Sequence, residues 1–172
     1  MKKVLGIVKI IFKIVGQVLA SSVSVDGEDD SNLLFTDLLG RLSKVQVIIL
    51  NYSCETADKY HSRSGLIFAG GVSLSLKNLV DLSGTNDIHR IDRELDYLRE
   101  VGLIRGGFDP VIADADISPN ALALQMYVRG QGYVGSPTEY FNTKEADPEK
   151  VEGEWFQQRQ QKLRESQQEN SA

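Results

Sequence analysis

Few residues in this 172-residue sequence are of the types that do chemistry, and their spacing limits what that chemistry could be. There is one cysteine, Cys54, and only two histidines, His61 and His89. A disulfide framework or a cysteine–histidine zinc site therefore lacks its ligands. His89 stands five positions before Glu94, whereas a helix brings together residues three or four apart, so the pair does not share a face for acid–base work. The glycine-rich run GLIFAGG, Gly65 to Gly71, lacks the lysine and threonine pattern of a phosphate-binding loop. Asp109, Asp114 and Asp116 could gather a cation, but their spacing reads first as turn formers and solvating groups of a hairpin. Glu28, Asp29 and Asp30 read as acids at a helix start, where they complement the helix dipole. No nucleophile elbow or metal motif accompanies these groups. The sequence is read as non-enzymatic, with no catalytic, cofactor or metal residue assigned.

Two basic groups carry binding expectations instead. His89, Arg90 and Arg93 form the one contact edge that a nucleic acid or a protein partner could use. Lys2, Lys3, Lys9 and Lys13 gather with Gln17 on one side of a helix over residues 2–22, opposite Val4, Ile7, Val8, Ile11, Ile14, Val15 and Val18. Such a helix either docks on its own domain or a partner subunit, or lies in the headgroup region of an anionic membrane. Its charges interrupt the apolar run, so a bilayer span is not expected. Nor does it read as a secretory signal, whose core is free of lysine.

The elements that position the central edge are legible from Val72 to Arg105. Ser73 is expected to cap a helix carrying Leu74, Leu76, Leu79, Val80 and Leu82, broken at Ser83-Gly84. Thr85, Asn86 or Asp87 then caps a second helix, whose Ile88, Ile91, Leu95 and Leu98 form one buried stripe. Gly102 ends it, and Leu103-Ile104 starts a strand that turns at Gly106-Gly107. Helix, turn, helix and hairpin predict a winged-helix unit. Upstream, Leu33 to Leu42 reads as one helix. Ser43 caps the next, which runs toward Ala57 and Tyr60. The Gly65–Gly71 run reads as a short strand, the first of the winged unit. Downstream, Pro119 is placed at the first position of a closing helix that Gly130 stops. The expected fold is mainly α with a small β-hairpin: an amphipathic helix over 1–22, a helical and winged-helix domain over 30–141, and a polar tail over 142–172. The tail is expected to be disordered beyond Phe156, the alternative being a helix docked through Trp155.

Charge narrows the function. The chain carries a net charge of −5. The second helix presents Asp87, Asp92, Glu94, Asp96 and Glu100 against Arg90, Arg93 and Arg99, an excess of acid that phosphates would repel. The wing candidate, Gly106 to Ile117, holds no lysine or arginine. Protein contact is therefore favoured over DNA binding. A DNA-binding transcriptional regulator that dimerises through one of its helices is the alternative. The cysteine usage fits a reducing cytosol.

Three stretches are similar to the Abi-alpha (abortive infection alpha) family of bacterial proteins. LLFTDLLGRLSKVQVIILNY, Leu33 to Tyr52, resembles the family's apolar helix, "LS" and following helix that ends in an aromatic. RIDRELDYLREVGLI, Arg90 to Ile104, resembles its helix leading into a "GLI" strand. ISPNALALQMYVRGQG, Ile117 to Gly132, resembles the helix that follows its wing. The resemblance implies a phage-defence factor acting by abortive infection. It supplies no catalytic residue. The partners expected are a protein, a second copy of the chain or an anionic membrane, placing the molecule in the cytoplasm or at the inner membrane surface.

Overall fold

The computed structural model describes residues 31–109 and 111–169. The amphipathic segment with Lys2, Lys3, Lys9 and Lys13, and the acidic group Glu28 to Asp30, lie outside the described residues. Helix α1, Ser31–Arg41, turns at Leu42 into α2, Lys44–Thr56. Ser43 builds a capping box at the start of α2: its hydroxyl accepts from Gln46 N at 3.2 Å, and its own N donates to Gln46 Oε1 at 2.8 Å. Strand β1, Lys59–His61, and β2, Ile67–Ala69, form an antiparallel hairpin with Tyr60 opposite Phe68. Thus α2 stops short of Tyr60, and the glycine-rich strand pairs with β1.

The next strand is β3, Ser73–Ser75. Ser73 was expected to cap a helix, but Ser75 does so, accepting from Asn78 N ahead of α3, Leu76–Ser83. The reason is local alternation: Leu74 is buried between two half-exposed serines, the period of a strand. Gly84 closes α3 with φ +71°, which a residue lacking Cβ takes without strain. Asp87 caps α4, Ile88–Glu100, through Arg90 N at 3.0 Å. Ile91, Leu95 and Leu98 are buried as the stripe required, while Ile88 is left exposed at the first turn.

Gly102, at φ +73°, folds the chain back so that Leu98 O accepts from both Leu103 N and Ile104 N. Leu103 and Ile104 are buried but make only a single bridge, Ile104 to Pro119. The regular strand starts later, as β4, Phe108–Asp109, paired with β5, Asp114–Asp116. β5 also pairs antiparallel with β3, so the sheet runs β3-β5-β4. Pro119 sits in that bridge, and Asn120 precedes α5, Ala121–Gly130. A short turn of helix, α6, Pro137–Tyr140, leads to β6, Lys144–Glu145, which lies parallel beside β1. Among the described residues the fold is thus mainly helical with two small three-stranded sheets, not one hairpin.

The core lies where α2, α3, α4 and α5 meet the sheet β3-β5-β4. Ile49, Leu79, Leu95, Leu103, Ile117 and Leu124 are wholly enclosed there. Each such side chain contributes about 1.5–3 kcal/mol by leaving water.

The largest departure is at the C-terminus. Pro148–Glu169 forms one helix, α7, where disordered chain beyond Phe156 was expected. Its stripe of Val151, Trp155, Arg159 and Leu163 is half-buried at helical spacing, and that contact orders a segment too polar to hold itself.

Candidate functional site

Two surfaces have the residue types to bind something. On α4, His89, Arg90 and Arg93 are all exposed, and separations of three and four place them together on one edge. The Arg90 guanidinium reaches Glu94 at 3.6 Å, whereas Arg93 has no ion-pair partner among the described residues. Asp87 and Asp96 flank the edge, Asp96 holding Arg99 at 2.7 Å. Glu94 was expected among the outward acids. It turns inward instead, with only 14% of its side chain exposed, and accepts from the Ser43 hydroxyl at 2.7 Å. There it meets the positive end of α2, so it is neither a partner for His89 nor a repulsive surface charge.

The second surface is the docking of the tail helix through Trp155, the alternative to disorder, on acids that the sequence does not connect with it. Asp109, Asp114 and Asp116, expected as solvated turn residues, face α7. Asp114 and Asp116 are buried. Lys162 Nζ reaches Asp114 at 2.5 Å, and Arg159 reaches Asp109 at 3.4 Å and Asp116 at 3.8 Å. Burying carboxylates is costly unless they are paired, so the cations of α7 are what allow the strand to carry them. Asp116 is held further by the Ser118 hydroxyl at 2.5 Å and Ser118 N at 2.9 Å. Ser118 Oγ accepts in turn from Val72 N at 2.8 Å, which fixes this end of the sheet to β3.

The Trp155 indole completes the contact. It fills the space where a Cβ at Gly71 would stand. The guanidinium carbons of Arg105 and Arg159 lie 5.9 and 5.4 Å from its ring centroid, within cation–π range. Two donors of Arg105, Nε and Nη2, are buried with no hydrogen-bond acceptor. The signal that could have revealed this surface is the pairing of a stretch rich in acid and free of base, Gly106 to Ile117, with a distant stripe of Trp155, Arg159 and Lys162.

The remaining candidates are chemically quiet. Cys54 is enclosed, and burial pushes its thiol up to about 12, so it is no thiolate nucleophile near neutral pH. Burial also holds the Tyr127 hydroxyl up at about 12, with Glu55 adding to the effect. The cavity between α1, α2 and α5, lined by Leu39, Leu50, Met126 and Tyr127, has about 20 Å³ of space, room for one water. A wide groove of about 1120 Å³ between the β1–β2 turn and the start of α7 mixes Arg63 and Lys150 with Glu145, Asp147 and Glu154. His61, beside it, engages Thr143 Oγ1 at 2.9 Å. Among the described residues, no three of the metal-ligating types come together. No helix there is long and apolar enough to cross a membrane.

No protein-family model, curated protein or solved structure matches the chain. The likeness to the Abi-alpha family therefore rests on the three sequence stretches alone.

Proposed function

We propose that this chain is a non-catalytic bacterial interaction protein built on a winged-helix unit, which it uses for protein contacts in phage defence by abortive infection. The element order α2, β3, α3, α4, β4, β5, with β5 between its two partners, supports the winged-helix reading. The observation that carries protein contact over DNA contact is the acidity of the hairpin. A wing laid on a phosphate backbone needs cations, and this one offers Asp109, Asp114 and Asp116, with their compensation supplied from within the chain. The three sequence likenesses support the defence setting. A basic segment over residues 2–22 that engages an anionic membrane surface fits the same reading.

The alternative, a DNA-binding regulator, draws on the exposed edge of His89, Arg90 and Arg93. A duplex-DNA titration at about 50 and about 200 mM salt separates the two. Protein contact predicts no salt-dependent binding. Binding that falls steeply with salt and is lost in Arg90→Ala/Arg93→Ala overturns it. For the setting, expression in a phage-challenged bacterial host is expected to lower phage yield with death of infected cells. Unchanged yield removes the defence role.

A further inference from the structure

We propose that the acidic seat beneath α7 is an interaction surface for a basic, aromatic-bearing helix of a partner protein, and that α7 is its resident occupant, which the partner displaces. The core sets the positions of the seat's residues, and its carboxylates need a helix that brings cations, α7 or a replacement. Gly71, Asp114, Asp116 and Ser118 are fixed by the pairing of β3 with β5 and by the Ser118 bonds to Val72 and Asp116. Its chemistry is specific: a bare backbone at Gly71 that takes the flat face of an aromatic, with carboxylates beyond it that take cations four and seven positions further along a helix. Charge complementarity thus defines the occupant as a helix with an aromatic residue followed by Arg at i+4 and Lys at i+7.

The resident supplies this pattern but packs incompletely. None of the described α7 side chains is fully buried, and Phe156, next to the anchor, is 57% exposed. Arg105 keeps two buried donors without an acceptor under α7, so a competing helix that brings an acceptor beside its aromatic gains an interaction that α7 lacks. Release is also local. Just before α7, β6 is pinned to β1 and Ala146 N donates to His61 O at 3.0 Å, so α7 can leave while the sheet stays closed.

Trp155 is the only tryptophan in the chain, which makes the test direct. The probe is a synthetic peptide of residues 148–169, added to the full-length variant Trp155→Ala/Arg159→Glu/Lys162→Glu. In that mixture the peptide carries the sole indole. The expected result is a saturable blue shift of its emission, weakened about tenfold between about 50 and about 500 mM salt. Adding Asp114→Asn and Asp116→Asn should abolish the shift, and a dye-labelled peptide should bind the occupied wild-type chain about tenfold more weakly than the variant. A folded variant that leaves the emission unmoved overturns the proposal, as does equal binding to variant and wild type. If the variant does not fold, Trp155 of the wild-type chain decides. A red shift with rising salt, while far-ultraviolet circular dichroism holds steady, supports a displaceable helix, whereas release only on global unfolding overturns it. A concentration-dependent dimer with Trp155 still buried would make the occupant the α7 of a second copy and overturn the partner assignment.

Discussion

Cys54 and Tyr127 show how single side chains set the conditions in which the fold is stable. Both are neutral when folded, because burial holds each at about 12, against ordinary values of 9.0 and 10.0. The unfolded chain releases these protons at lower pH than the native one does. Above pH of about 9 the unfolded state therefore binds fewer protons, and stability falls as pH rises toward 12. Below that range the contribution is fully present. Urea midpoints are expected to be steady from pH 7 to 8 and to drop progressively above 9. In Cys54→Ala the alkaline decline should be shallower, even though its stability at pH 7 is reduced. A parallel decline in both proteins would assign it to other groups. The placement of Cys54 on a helix was legible from its surroundings in the sequence. The enclosure that silences its thiol was not, because it depends on α3, α4 and α5 packing against α2.

The junction of α2 with α4 is where elements hold one another. Ser43 caps α2 and also donates to Glu94 of α4 at 2.7 Å, across 51 residues of sequence. Ser43→Ala removes the cap, costing about 1 kcal/mol. It also leaves a half-buried carboxylate short of a donor, adding about 1–3 kcal/mol. Ser43→Thr keeps both bonds and should retain most of the stability, and urea unfolding of the two variants distinguishes a polar loss from a steric one. The caps and breaks at Ser43, Gly84 and Gly102 were legible in the sequence because each is decided by one or two neighbouring residues, whereas the cap of α4 was narrowed only to Thr85, Asn86 or Asp87. β3 was not. Ser73-Leu74-Ser75 offers a strand period over only three residues, and the partner that makes it a strand, Asp114–Asp116, is some 40 positions away. For the same reason the Gly65–Gly71 run was assigned to the wrong sheet: its hydropathy marks a strand but not a neighbour.

Over the whole molecule, stability is unevenly spread, and the C-terminal third shows why composition misled. The chain from Asn142 on is charged and glutamine-rich, a pattern that buries too little apolar surface to fold alone. What orders it is electrostatic and remote: Arg159 and Lys162 answer carboxylates about 50 residues earlier. A local reading sees two like-charged neighbourhoods and no reason to join them. Such a contact rests on ion pairs with partly exposed side chains and on one aromatic anchor, so salt weakens it more than it weakens the enclosed core of Ile49, Leu95 and Leu124. Native-state hydrogen exchange is expected to rank the amides accordingly. Those of α2, α4 and α5 should exchange through global opening, and those of α7 through a lower, separate opening. Raising salt from about 50 to about 500 mM should accelerate exchange in α7 alone, because it shortens the screening length from about 14 to about 4 Å and so weakens the attraction between its cations and the acidic strand. If α7 exchanged together with α4 at both salt concentrations, the helix would belong to the cooperative core. Its cations would then act as structural counter-charges to the buried aspartates and not as a releasable contact.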